Sequence, residues 1–328
     1  MSVRLKQNIN EILFCILVIL LARVLATVTV VAQKEAIGID FLYGKQSTRH
    51  QQILSGQQGN PWQYRILPDY IIELIKPLYR NTQNPLVTSF LELRLAQNFL
   101  IFLFAAIYYH KLHLSKAGIL IGMNILAWSM TQAFFDSDLQ FSTYFDVLFY
   151  LIAGILLLGR FYWLILLVTI LAALNRETSA LIPFFPLGYW LIVRPQNVTL
   201  KKAVWYSGIS LLLFWGIYFG IRQYFGERQL ITPYGNALGW ETFVYNYGRK
   251  ITYLNLAGTL GIVPIVALFN WKHWQMSLRA FFWIVVPIWF ILHSFIAIMA
   301  ETRLFLVPMA IVFIPASLGW IRQPVDRN

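Results

Sequence analysis

Apolar runs approaching the roughly 20 residues that cross a hydrocarbon core as helix recur through most of this 328-residue chain, and they leave few folds open. Inside hydrocarbon every backbone N–H and C=O must be paired within the chain, so the runs read as membrane helices and the fold class as an all-α, polytopic membrane bundle. Charged residues are sparse, 26 Lys+Arg and 14 Asp+Glu, about half the share of a soluble domain. An ordinary soluble enzyme is thereby excluded. The net charge of +12 is dispersed in ones and twos between the runs, without the basic stripe of a nucleic-acid binder. The expected partner is the lipid bilayer, not nucleic acid. Cys15 is the single cysteine, which rules out an intrachain disulfide and a CxxC metal or redox site.

The first run, Ile12 to Ala32, is too long for a secretory signal and is interrupted by Arg23, so it reads as a retained helix. Further spans are expected at Leu95 to Tyr109, Ala117 to Phe134, Thr143 to Gly159, Ala203 to Ile221, Tyr253 to Phe269, Ala280 to Ala300 and Leu304 to Ile321. Residues 161–193 are apolar apart from the neighbourhood of Asn175, Arg176 and Glu177, and their 33 residues are too many for one span and few for two. Basic residues in short loops mark the cytoplasmic side. With the N-terminus inside, Arg160 and Arg194 fall on the same side, so residues 161–193 must enter the membrane and return. That predicts a hairpin of two arms, each of about 15 residues or about 22 Å, with Asn175-Arg176-Glu177-Thr178 at its turn, held in a wet or protein-lined pocket.

The count is then about ten membrane helices in one domain, residues 1–328, with both termini cytoplasmic. By this topology the cytoplasmic side carries 12 Lys+Arg and two acids, net +10, and the other 14 basic and 12 acidic residues give only +2. Most of the excess charge sets orientation. The first external loop, residues 33–92, contains a stretch from Tyr64 to Arg80 in which Leu67, Tyr70, Ile71, Leu74, Ile75 and Leu78 recur at helical steps opposite Arg65, Asp69, Glu73, Lys76 and Arg80. This is the pattern of an amphipathic helix lying on the membrane surface, its charges beyond Arg65 read as a solvated face.

Ionisable side chains within a bilayer are costly and mark partners or wet paths. Arg23, Arg94, Asp146, Arg176, Glu177, Glu301 and Arg303 qualify, with mutual neutralisation of Arg23 or Arg94 by Asp146 or Glu92 as the purely structural alternative. His293 reads as a hydrogen-bonded packing residue. Asp40 follows the first helix in Gly38-Ile39-Asp40-Phe41, and Asp136 and Asp138 follow the third; such a DxD pair suits a metal, a helix cap or simple hydration. No GxSxG, HExxH or Gly-rich phosphate loop is present.

The order of Gly38-Ile-Asp40-Phe41, Tyr64-Arg65-Ile-Leu67-Pro68, Asn175-Arg176-Glu177-Thr178 and Glu301-Thr302-Arg303 resembles the GT-C superfamily of membrane glycosyltransferases, especially its small bacterial members. The resemblance implies helices around an outward cavity and transfer of a sugar from a polyprenyl-phosphate-linked donor to an acceptor hydroxyl at the outer face of the plasma membrane, with inversion. It implies Asp40 as general base and Arg65, Arg176 and Arg303 as candidates for the donor's phosphate; Glu177 and Glu301 join that site as ionisable neighbours, and Asp136 and Asp138 remain secondary candidates from their own spacing. Asp40 has no acidic neighbour, so no metal or other cofactor is indicated. A polysaccharide polymerase, and a transporter or flippase of lipid-linked sugar, are the competing expectations.

Overall fold

The computed structural model describes residues 3–134, 140–196, 198–232 and 235–319. Among them the secondary structure is helical throughout, with no strand and one isolated bridge, Asn60 to Leu230. Asp136, Asp138 and the C-terminal basic residues lie outside the described residues.

Among the described residues five helices are long and apolar enough to cross a membrane: Asn8–Ile37, Pro85–Lys111, Phe141–Leu158, Leu200–Phe225 and Met276–Ile296. The span expected at residues 253–269 is two helices, Lys250–Leu260 and Val263–Phe269, bent by 68°. The break has a local cause: Gly261 sits at φ 54°, a left-handed conformation that glycine adopts without a Cβ clash, and Pro264 starts the next turn. Counted as one, the pair brings the total to six. The remaining expected spans are shorter than an 18-residue crossing. Lys116–Gln132 has 17 residues, Leu164–Ala173 has 10, and residues 177–193 begin as a 3-10 helix before Phe185–Val193 winds as α. The last run, Thr302–Ser317, changes from 3-10 to α to π winding and back.

The core gathers around Pro85–Lys111, which packs against the first helix, Lys116–Gln132 and Phe141–Leu158. Small residues set the spacing: a Cβ on Gly154 would lie 2.8 Å from the Tyr108 ring, and one on Gly122 2.8 Å from the Tyr109 ring. The two tyrosines in turn donate to the carbonyls of Ile311 (2.8 Å) and Ala310 (3.1 Å). Those carbonyls belong to the π-wound turn Met309–Phe313, where normal α pairing is lost and an outside donor is needed.

Residues 33–92, expected as the first external loop, are far more ordered than an amphipathic helix with flanks. After Gly38 (φ 75°) breaks the first helix, residues 39–54 form one winding helix, α then π then α. Its buried side is Leu42, Gln46, His50 and Ile53, a three- and four-residue spacing. A 3-10 turn at Trp62–Tyr64 leads to the α-helix Leu67–Ile75 and a 3-10 turn at Lys76–Tyr79. The amphipathic reading is half right. Tyr70, Leu74 and Leu78 form an exposed apolar stripe, the two leucines being 78% and 76% accessible. The acidic side, however, is not a solvated face, because Asp69 is buried against His50, a residue of the preceding helix.

The stretch between the spans expected at Ala203 to Ile221 and Tyr253 to Phe269 also holds structure. Helix Trp240–Gly248 places the buried Asn246 where its amide donates to the carbonyls of Ser294 (3.0 Å) and Ala297 (2.8 Å) and its oxygen accepts from Met299 N–H (2.9 Å). One side chain thus satisfies the orphan backbone groups where Met276–Ile296 ends. The three segments that face each other at this end of the bundle are sewn together by backbone bonds: Asn60 N–H to Gln229 O at 2.9 Å, Ile231 N–H to Asn60 O at 2.8 Å, and Leu67 N–H to Leu174 O at 3.1 Å.

Candidate functional site

The turn between the short apolar helices is built on a carboxylate. Asp146, on Phe141–Leu158 and 1% exposed, accepts from Asn175 Nδ2 (3.0 Å), Ser179 Oγ (2.8 Å) and Thr178 Oγ1, and faces Arg176 Nε at 3.9 Å. Asn175 Nδ2 also reaches Ser142 O at 2.8 Å, and Arg176 Nη1 donates to Thr143 Oγ1 at 2.8 Å. A buried charge persists only when paired and hydrogen-bonded, and here three donors and a cation serve it. The partner of Asp146 is therefore Arg176, not Arg23 or Arg94: Arg23 is exposed on the first helix, and the buried Arg94 lies over the rings of Phe141 (4.5 Å) and Tyr144 (5.8 Å).

Held in extended backbone at Arg176, the turn projects Glu177 toward the loops. Arg65 Nε and Nη2 donate to Glu177 Oε2 at 3.1 and 3.0 Å, and Arg222 Nη2 donates to Oε1 at 3.4 Å. Arg65 Nη1 also reaches Gln140 Oε1 at 3.4 Å. Arg222 is fixed by stacking, 3.4 Å from the Tyr218 ring centroid and 4.3 Å from that of Tyr64, and Tyr64 is itself tied by its hydroxyl to Gly226 O at 2.9 Å. Arg65, Arg176, Glu177 and Arg222 thus converge from three places in the sequence.

Their charges do not cancel. Among the described residues Arg65, Arg176 and Arg222 face Asp146 and Glu177, three positive against two negative, a surplus of one positive charge. Arg303 lies within electrostatic range of Arg176. It is 3% exposed and donates to Glu301 Oε2 at 2.7 Å, a pair that is neutral in itself. His293 hydrogen-bonds to Trp289 O through Nδ1 at 2.7 Å and stacks on the Trp289 ring, as a packing residue would.

Beside this cluster an open cavity of about 50 Å³ is lined by Gln46, Arg49, His50, Ile53, Trp62, Arg65, Pro68, Asp69, Ile72, Phe90, Gln140, Phe141 and Ser142. Arg65 belongs to both cavity and cluster. Arg49 and Arg65 both lie over Trp62, at 4.7 and 5.2 Å from its ring centroid. On the buried wall His50 bridges two carboxylates, Nδ1 to Asp69 Oδ1 at 2.7 Å and Nε2 to Glu73 Oε1 at 2.9 Å, and Lys76 Nζ holds Glu73 at 2.6 Å. Burial alone would push the His50 pKa down, but the hydrogen bonds and charges of Asp69 and Glu73 outweigh it and raise it above its ordinary value. Glu73 is shifted down: its own burial works against this, and Lys76 and His50 overcome it.

Asp40 stands apart. It is exposed on the turn Ile39–Phe41 and is not among the residues lining the cavity. Arg65, Arg176 and Glu177 are brought together, with Arg303 near, whereas Asp136 and Asp138 lie outside the described residues. Sequence reasoning missed Arg222, taken as the start of a loop, and His50, whose signal was the 42-46-50-53 spacing. No set of three or more His, Cys, Asp or Glu side chains suited to a metal occurs among the described residues. No protein-family model, curated protein or solved structure matches the chain, so the chemistry of the site rests on its own geometry.

Proposed function

We propose that this chain is a membrane glycosyltransferase of GT-C type, moving a sugar from a polyprenyl-phosphate donor to an acceptor hydroxyl at the outer face of the plasma membrane. The observation that carries this reading is the convergence of Arg65, Arg176 and Arg222 on Glu177 and Asp146, net positive, at the edge of an open cavity in a chain of membrane helices. A lipid-linked donor accounts for a phosphate site in a chain rich in membrane-length apolar helices. Its leaving group is a phosphate, and guanidinium N–H groups already locked by Glu177, Tyr64 and Tyr218 are preorganised to stabilise the charge that grows on it. Arg303 is a further donor to the same anion.

The ten-helix arrangement belongs to this proposal. Residues 164–193 form the re-entrant hairpin, both termini are cytoplasmic, and the stripe Tyr70, Leu74 and Leu78 rests on the outer leaflet. The positive-inside charge count supports that orientation. A transporter of lipid-linked sugar is the second reading, favoured by a buried polar chain between the helices: Gln33 Nε2 to Tyr144 Oη at 3.0 Å, and Asn98 Nδ2 to Thr29 Oγ1 at 3.0 Å.

The test is transfer by the purified, reconstituted protein from labelled polyprenyl-phosphate pentoses and hexoses, following release of the polyprenyl phosphate. Arg65→Lys, which keeps charge but loses the planar fork, is expected to lower turnover by about 10²-fold. Unchanged turnover in Arg65→Lys and Arg176→Lys overturns the phosphate site. Movement of intact lipid-linked sugar across the vesicle, with no glycosidic bond cleaved, establishes the transporter instead.

A further inference from the structure

The cavity beside the arginine cluster has chemistry the donor phosphate does not use. Its half-exposed rim is Arg49, Trp62 and Arg65, and its buried floor includes Gln46, His50 and Asp69. Two of these floor residues bring acceptor oxygens, and His50 is already engaged with carboxylates through both ring nitrogens. Gln46, 9% exposed, has a buried Oε1 with no hydrogen-bond partner, a group that costs free energy until a donor arrives. Asp69, equally buried, offers a carboxylate whose Oδ1 is fixed by His50. A ligand that satisfies this floor must donate hydrogen bonds, and one that satisfies the rim must accept them. A hydroxyl does both. The volume of about 50 Å³ takes a few water-sized groups, so it fits the hydroxyl edge of a sugar and not a lipid-linked donor.

We propose that this cavity receives the hydroxyl of the acceptor sugar and that Asp69, aimed by His50, takes its proton. The inference rests on the glycosyltransferase reading and replaces Asp40 as the base. The acceptor oxygen forms a bond to the anomeric carbon, the bond from that carbon to the phosphate oxygen breaks with its electron pair leaving on the polyprenyl phosphate, and the hydroxyl proton passes to Asp69. Arg65, which lines the cavity and binds Glu177, places the two half-sites side by side. His50 is a positioning residue. It faces Asp69 and Glu73, Glu73 faces Lys76, and Arg49 acts on Asp69 electrostatically. These groups together set the ionisation of the base.

Two measurements separate this proposal from the reading it rests on. In the first, binding of methyl pentosides and methyl hexosides to the purified protein is followed by calorimetry in the millimolar range. Asp69→Asn and Gln46→Leu should each weaken binding at least tenfold. In the second, Asp69→Asn should lower transfer at least 10²-fold. Gln46→Leu, which leaves the charges in place, should raise KM for the acceptor more than it lowers kcat. His50→Gln should move the acid limb of the kcat/KM profile to higher pH, because Asp69 loses its cationic neighbour. Glycoside binding with no transfer from any donor overturns the glycosyltransferase reading and leaves the cavity assignment standing. Absence of glycoside binding in the wild type, binding unaffected by both variants, or transfer abolished by Asp40→Asn but kept within tenfold in Asp69→Asn overturns the cavity proposal.

Discussion

Asp146→Asn is the substitution on which the account of the hairpin turn depends most. The carboxylate is 1% exposed and serves three hydrogen-bond donors and Arg176. An amide keeps one acceptor oxygen and presents an N–H₂ group where the other stood, so Thr178 or Ser179 must reorient and Arg176 loses its counter-charge. Removing one partner of a buried ion pair costs about 3–5 kcal/mol, most of it from the stranded charge. Arg176→Met should cost less, since Asn175, Thr178 and Ser179 still serve Asp146. In the double variant Asp146→Asn/Arg176→Met no charge is stranded, and the cycle should return a coupling of about 2–3 kcal/mol. The assay is reversible unfolding of the purified protein in mixed micelles, read by helicity and by tryptophan fluorescence. A cost for Asp146→Asn below about 1 kcal/mol, or a coupling below the roughly 0.5 kcal/mol of independent sites, would refute the reasoning.

Gly154→Ala puts a methyl group 2.8 Å from the Tyr108 ring and should destabilise by about 1–3 kcal/mol through overpacking, measured in the same unfolding assay. The raised pKa of His50 stabilises the fold fully below its ordinary value of 6.5 and ceases to do so as pH rises through the higher folded value. The melting-temperature gap between wild type and His50→Gln should close over that interval. Glu73, shifted below 4.5, supplies the opposite limb, lost as pH falls through its depressed value. In a Cys15→Ser background a spin label at Leu74→Cys should be relaxed by dissolved oxygen more than by a water-soluble nickel complex, whereas the reverse would lift the exposed stripe off the membrane. Asn197-Val198-Thr199, a glycosylation sequon placed inside and centred just outside the described residues, should remain unmodified in a eukaryotic host.

The helical fold and the pairing of distant motifs were legible because hydrocarbon imposes a simple rule on long apolar runs. The shared neighbourhood of Arg65, Arg176 and Glu177 followed from placing their turns on one side. What escaped was decided by tertiary contact. The solvated-face reading of Asp69 and Glu73 was reasonable from spacing alone, and it failed because His50, on a different helix, presents a ring nitrogen to each. Arg222 looked like a loop boundary because an arginine's stacking on Tyr218 and Tyr64 leaves no mark in the sequence around Tyr64. Five of the expected crossings, or six with the bent pair, are long apolar helices among the described residues, and the others are shorter or irregularly wound because hydropathy records composition and not winding. Residues 304–316 are apolar along their whole length, yet they change helix type three times.

The backbone bonds joining Asn60 to Gln229 and Ile231 set an order of events during synthesis. Chains are made and inserted from the N-terminus, so Arg65 and the cavity-forming loop emerge more than a hundred residues before Glu177, and Arg222 follows later still. Until Glu177 is in place Arg65 has no carboxylate, and until residue 231 is in place the loop has no clasp. The first part of the chain must therefore wait in the membrane with an open, positively charged loop, and the site closes as a late event of biogenesis. A nascent chain arrested near residue 200 would hold Glu177 but lack Arg222 and the clasp, and the same chain released past residue 231 would have both.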